Sequence, residues 1–228
     1  MITDYQDIEL TVEKPLPIDM EVIWDKSKII VSETDIYGRI VEVNDAFCDV
    51  SGYSIVEMIG QPHSIVRHPD MPKLIFKMLW DNLKNENNFV GIIKNLSKSG
   101  EYYWVIADFI AQKDILGNVT NYIARQKSVS KDIIDNHIAP LYETLLKLEK
   151  IGGMDLSGRF LKNYMDKEGK DYIGFIVDIV TKNKVSLSFE DVPAASFEPN
   201  REISNDIHIL SNNEPEDKRK SFFERLFQ

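Results

Sequence analysis

The sequence predicts an α+β fold: a five-stranded antiparallel sheet with helices over one face, followed by further helices. Three observations predict it. Five short segments between Ile29 and Val129 are built from the apolar and aromatic residues that strands favour. Glycines at 38, 100 and 117 fall between neighbouring segments at hairpin spacing. Between the second and third segments the apolar period changes from two to about 3.6. Strands in pairs and triplets with helices gathered between them describe a sheet covered from one side.

The elements follow in order. Residues 1–27 are acidic, contain PLP at 15–17, and read as an extended lead-in with a short ordered piece near Glu21–Trp24. KIIVSETDIYGRIVEVN reads as a hairpin turning at Tyr37-Gly38. Asn44 is placed to cap NDAFCDVSGY, a helical turn stopped by Gly52, and SIVEMIG makes a second one. KLIFKMLWDNLKN sets Leu74, Ile75, Met78, Leu79 and Leu83 on one helical stripe. Three strands follow, in FVGIIKNL, EYYWVIADFIAQK and VTNYIARQKSV. From Lys131 the strand signal ends. DIIDNHIAPLYETLLKLEKIGG reads as a helix with Pro140 inside it or at a break, and two more amphipathic helices flank Gly169. The organisation is a lead-in (1–27), a sheet domain (28–130), a helical extension (131–185) and a flexible tail (186–228) ending in the amphipathic KRKSFFERLFQ.

Composition narrows the functional classes. At 228 residues and 43% apolar the chain can build a core, and 11 Phe, 9 Tyr and 3 Trp argue against general disorder. A net charge of −10 disfavours nucleic acid, whose phosphates reward clustered Lys and Arg. No apolar run approaches the roughly 20 residues of a membrane span, and the acidic N-terminus is unlike a signal peptide, so a cytoplasmic location is expected. The single Cys48 excludes an internal disulfide and any CxxC metal site. No catalytic motif is recognisable, so the chain is read as a non-enzyme.

The chemistry is concentrated in GQPHSIVRHPDMP, residues 60–72, with His63, Arg67, His68 and Asp70 among three prolines. Two readings stand side by side. An Arg and Asp beside prolines make a loop-stabilising ion pair, and the same residues can hold an anion or a ribose. A metal set from His63, His68 and Asp70 is poorly formed, because histidines five apart share no helix face and structural zinc takes four ligands. Trp80 and Trp104 suit either the core or the wall of a ring-shaped ligand. Asn44 has its own alternative as a helix cap.

RHPDMP, taken with WDNLKN, GIIKNLSKSGEYYWV and APLYETL over about residues 28–147, resembles the PAS sensor of the bacterial aerotaxis receptor family. The helix–turn pairing NDAF…GY…EMIG is shared by very many PAS domains. That resemblance implies FAD held non-covalently, with Arg67, His68 and Asp70 in the flavin-binding stretch and Asn44 and Asn95 as pocket amides. Trp80, Trp104 and His63 join them as candidate lining. Cys48 lies ahead of the helix that carries the reactive thiol of light-sensing LOV domains, so that chemistry is not implied. The nearer likeness is to stand-alone PAS proteins of energy taxis that signal to a separate membrane chemoreceptor. The helices after Lys131 and the Phe-rich terminus would then be docking or homodimer surfaces, the alternative being that they pack back on the sheet. The rival is a PAS module without flavin, either a heme sensor using His63 or His68 or a ligand-free dimerisation adaptor.

Overall fold

Hairpin alternation builds the first strands as expected. The computed structural model describes residues 13–183, in which β1 (Ile30–Asp35) turns through Gly38 into β2 (Ile40–Val43). The chain then crosses the sheet through α1 (Asp45–Ser51), α2 (Ile55–Met58), a 3-10 turn (His63–Val66) and α3 (Lys73–Lys84). It returns as the meander β3 (Phe89–Leu96), β4 (Tyr102–Lys113) and β5 (Val119–Ser128). The strand order is β2-β1-β5-β4-β3, every pair antiparallel, so β5 closes onto β1 and the helical crossover spans from one margin to the other. The expected 186–216 linker and the Phe222–Phe227 segment lie outside the described residues.

Registry divides the sheet into two faces. Ser32 faces Ala124, Ile30 faces Gln126, Gln126 faces Ala107, and Asn95 faces Tyr103. With a side-chain period of two, Ser32, Asn95, Tyr103, Ala107, Tyr122, Ala124 and Gln126 share one face. That face lies under the crossover, because Ser32 bonds to His63 and Tyr122 meets Trp80 of α3. Phe47, Met58, Ile65, Ile75, Leu79 and Leu83 are buried from the helical side.

The second face is covered too. After β5 the chain enters α4 (Lys131–Ile133), a π turn (Ile134–Ile138) and α5 (Ala139–Glu168), then α6 (Tyr172–Lys182). Pro140 follows the π turn directly, within a helix that runs without a break in αR backbone from Lys131 to this point, so the irregular turn lies where the ring would crowd a regular helix. Tyr142 packs on Trp104, and its hydroxyl donates to the Ile92 carbonyl at 2.7 Å while meeting the Tyr172 hydroxyl at 2.5 Å. Ile134, Ile138, Leu141 and Leu145 are all buried. Of the two expectations for the helix after Lys131, the stripe is buried within the chain's own fold rather than left open for docking. Gly152 and Gly153 break α5, and Gly153 sits at φ 67°, ψ −171°, a conformation essentially confined to glycine.

The lead-in is tied down at its far end. Val22 N–H donates to the Tyr102 carbonyl and Tyr102 N–H to the Met20 carbonyl, each at 2.8 Å, where β5 has already left β4. Gly100 permits this. It has φ +90°, and a Cβ there would stand 2.3 Å from the Leu16 carbonyl oxygen.

Candidate functional site

The face beneath the crossover carries polar atoms that the protein leaves unused. Asn95 Nδ2 donates to Gln126 Oε1 at 3.2 Å, spanning β4 above Val105. Gln126 Nε2, Tyr103 Oη and Tyr53 Oη are all buried and make no hydrogen bond. The three residues are only 2%, 0% and 2% exposed. An orphaned buried donor costs about 1–3 kcal/mol, and native proteins rarely keep three together without a partner to come. Burial pushes the Tyr103 phenol well up; the Asn95 amide lies close enough to oppose this in part but does not reach hydrogen-bond geometry, so the phenol stays protonated as a donor. Ser32, Ala107 and Ala124 keep the middle of this face low. Phe47, Tyr122 and Trp80 stand around it, the last two edge to face at 5.6 Å.

His63 and Arg67 reach the same layer. His63 Nε2 and Ser32 Oγ share a hydrogen bond at 2.9 Å, with the ring edge-on to Phe47. Burial, then the charge of Arg67, lowers its pKa to about 4, so the ring is neutral. The Arg67 guanidinium stacks 3.8 Å from the centre of Phe76 on α3, and its backbone bridges to Asn95 along the β3 margin. Lys14 of the lead-in lies beside it, Nζ 3.5 Å from the Arg67 carbonyl. Lys14 is exposed overall, yet desolvation of its ammonium and then the Arg67 charge lower its pKa to about 8. Two cations pressed together in this way suit an anion with more than one charge.

The rest of the predicted set goes elsewhere. His68, 3% exposed, accepts from the Asp70 N–H on Nδ1 at 3.1 Å, which leaves its proton on Nε2. Its ring stands edge-on to Tyr102, and burial followed by the nearby Lys94 charge lowers its pKa to about 4. It is therefore a neutral donor, not the cation that a phosphate would prefer. Asp70 accepts from Lys94 Nζ at 2.8 Å; burial works against its charge, but that bond and charge hold its pKa below normal. Tyr102, Lys94 and Trp104 belong to the opposite face, so His68 and Asp70 staple the loop around the β3 margin. Trp104 lies under Tyr142 and away from the Asn95 face. Asn44 is absorbed by the backbone: Oδ1 accepts from Val31 and Phe47, and Nδ2 donates to Ile29. The structure thus gathers Asn95, Arg67, His63 and Trp80, and separates them from Asn44, His68, Asp70 and Trp104.

Gln126, Tyr103, Tyr53 and Lys14 were not among the residues singled out by sequence. Gln126 had a signal, as a polar residue in the apolar set Tyr122, Ala124, Gln126 of one strand face; Lys14 had none. Cys48 is half-buried, its thiol pKa raised by burial and by Asp45 and Asp49, so it is not a reactive thiolate. Among the described residues no group of three His, Cys, Asp or Glu side chains could hold a metal.

An antiparallel sheet in the order β2-β1-β5-β4-β3, crossed by short helices, agrees with a family model described as PAS fold, which matches residues 40–125. The matched segment has the PAS fold. The chain is 39% identical over 117 residues to the aerotaxis receptor of Escherichia coli (strain K12), covering 51% of this chain and 22% of the receptor. It is 26% identical over 106 residues to the nitrogen fixation regulatory protein of Klebsiella oxytoca, covering 46% of this chain and 21% of that protein. The chain thus spans about a fifth of the length of these relatives. Among solved structures, the light state of the blue-light photoreceptor Aureochrome1 LOV aligns with a TM-score of 0.44 at 20% identity, over 52% of this chain and 91% of that one. Among the described residues no helix is long and apolar enough to cross a membrane.

Proposed function

We propose that this PAS domain is a cytoplasmic redox sensor that holds FAD non-covalently between sheet and crossover and reports to a separate chemoreceptor in energy taxis. The observation that supports this most is the buried, unpartnered trio of Gln126 Nε2, Tyr103 Oη and Tyr53 Oη beside Asn95. A flavin ring has an apolar body and a row of acceptors along one edge, and such a set of donors is matched to that edge. Arg67 and Lys14 would hold the pyrophosphate, Arg67 through its fork of donors. Bound flavin supplies a redox couple whose electron uptake is accompanied by a proton at the ring edge.

The protein's part is to sense that change. Asn95 fixes the Gln126 carbonyl and so leaves the Gln126 amine aimed inward. A ring edge that changes from acceptor to donor is met best when the carboxamide turns over, and that releases Asn95. The two states then differ in hydrogen bonding at the margin strand β3, the differential interaction that any ligand-driven switch requires. A purified preparation should be yellow, show flavin absorption bands, and release FAD rather than FMN on denaturation. A colourless protein that takes up no added FAD sinks the reading, and a heme band would replace it.

A further inference from the structure

Helix α3 has no cap of its own: Pro72 stands at its N-cap and offers no side-chain acceptor. The orphan N–H groups are instead met by Glu149, far along α5. Its two oxygens accept from Lys73 N at 3.0 Å and Leu74 N at 2.9 Å. A carboxylate on a helix N-terminus gains from both the hydrogen bonds and the helix dipole. Next to it, Lys150 lends its charge to Asp70, the residue that staples the loop before α3. Two successive residues of α5 therefore engage the junction between the Arg67 loop and α3.

Both sides of this junction have consequences. Helix α3 borders the space between sheet and crossover proposed for the cofactor, the candidate chamber: Phe76 lies under Arg67 and Trp80 against Tyr122. Three residues beyond Glu149 comes the Gly152-Gly153 break, after which α5 runs back past Leu74, whose Cδ1 would lie 3.8 Å from a Cβ on Gly158. The first half of α5 is bound to the sheet by Tyr142, so the nearest place to absorb a shift of α3 is the glycine break.

We propose that Glu149 is the joint through which the state of the chamber sets the position of residues 154–182, by way of α3 and the Gly152-Gly153 hinge. This rests on the chamber holding the cofactor. When Arg67 closes on the ligand it draws Phe76 and α3; the bidentate carboxylate carries that shift into α5; the hinge converts it into a new direction for the helical arm. Linkage makes the coupling reciprocal: freeing α5 from α3 changes ligand affinity by the same factor that the ligand changes the joint.

Hydrogen exchange on the full chain tests it, comparing wild type and Glu149→Gln, each with and without added FAD. In ligand-free Glu149→Gln, amides of Lys73–Phe76 and of 154–168 should exchange about fivefold faster, the scale of a lost cap, with β4 and β5 unchanged. In wild type, FAD should slow exchange in α3 and in 154–182; in the variant it should slow α3 alone. Equal FAD protection of the arm in both proteins overturns the joint, as does an arm indifferent to Glu149 in the free protein. If wild type takes up no FAD, the cofactor reading falls and the free-protein comparison alone decides the joint. Should Glu149→Gln lose protection in β4 and β5 as well, Glu149→Asp, which keeps the charge and shortens the reach, replaces it with the same outcomes.

Discussion

At the scale of single residues, the proposed chamber sets folding against ligand binding. The Tyr103 hydroxyl is buried and unpartnered in the free protein, so Tyr103→Phe removes a liability at nearly constant volume. The ligand-free variant should be as stable as wild type or up to about 1 kcal/mol more so, while FAD binds several-fold more weakly. Thermal melts and a flavin titration check the two signs, and a variant that lost stability with unchanged affinity would assign the hydroxyl to the core. His63 and His68 make a second prediction. Each has a folded pKa of about 4, below the ordinary value of 6.5. Their neutral form is favoured by folding, so that contribution is complete above about pH 6.5 and is lost as the pH falls towards 4. The melting temperature should decline across that window, and His68→Asn, which cannot charge, should flatten the decline.

At the scale of elements, the hairpins and helices were legible because each had a local cause: alternation in β1 and β2, the apolar stripe of α3, glycines where the chain turns back. The inward face of β4 was not legible. Tyr103, Trp104, Val105, Ile106, Ala107 and Asp108 are all buried, so the strand has no polar side to mark its direction. Trp104 was therefore as good a chamber candidate as Tyr103 until α5 was seen to cover it. The loop at 60–72 was legible as a concentration of polar residues but not as one wrapped around a sheet margin, which sends Arg67 to one face and Asp70 to the other. Helix α5 yields a prediction of its own. Leu141 and Leu145 are buried against the sheet, so Leu141→Ser with Leu145→Ser should cost on the order of 4 kcal/mol or more and lower the melting temperature sharply. A variant that melts like wild type yet fails to associate would return the stripe to a docking role.

At the scale of the whole molecule, the cofactor is expected to act as a structural member. A ligand that binds only the folded state stabilises it by about 2.7 kcal/mol at a hundredfold excess over Kd. For a unit of this size that raises the melting temperature by roughly 5 °C or more. A melt with and without FAD measures it, and an unchanged midpoint at saturating FAD would count against a chamber enclosed by sheet and crossover. At this scale the candidate site was the least legible feature. The donors that define the chamber come from β3, β4, β5 and the segment after α1, and the lead-in brings a cation from more than fifty residues away from Arg67.

The margins of the sheet have a further consequence. On β3 the Ile92 carbonyl takes the Tyr142 hydroxyl, the Lys94 N–H meets Met71 Sδ at 3.2 Å, and Arg67 bridges to Asn95. On β2 the Ile40 N–H and carbonyl are taken by Gln61 and Gly60. Open margins are where strands of separate molecules join, as in fibrils and in peptide capture by strand addition. With these groups engaged, the sheet offers little template for a foreign strand. Crowded copies of this protein should stay apart rather than stack edge to edge, and recognition must be written in side chains instead of a borrowed backbone.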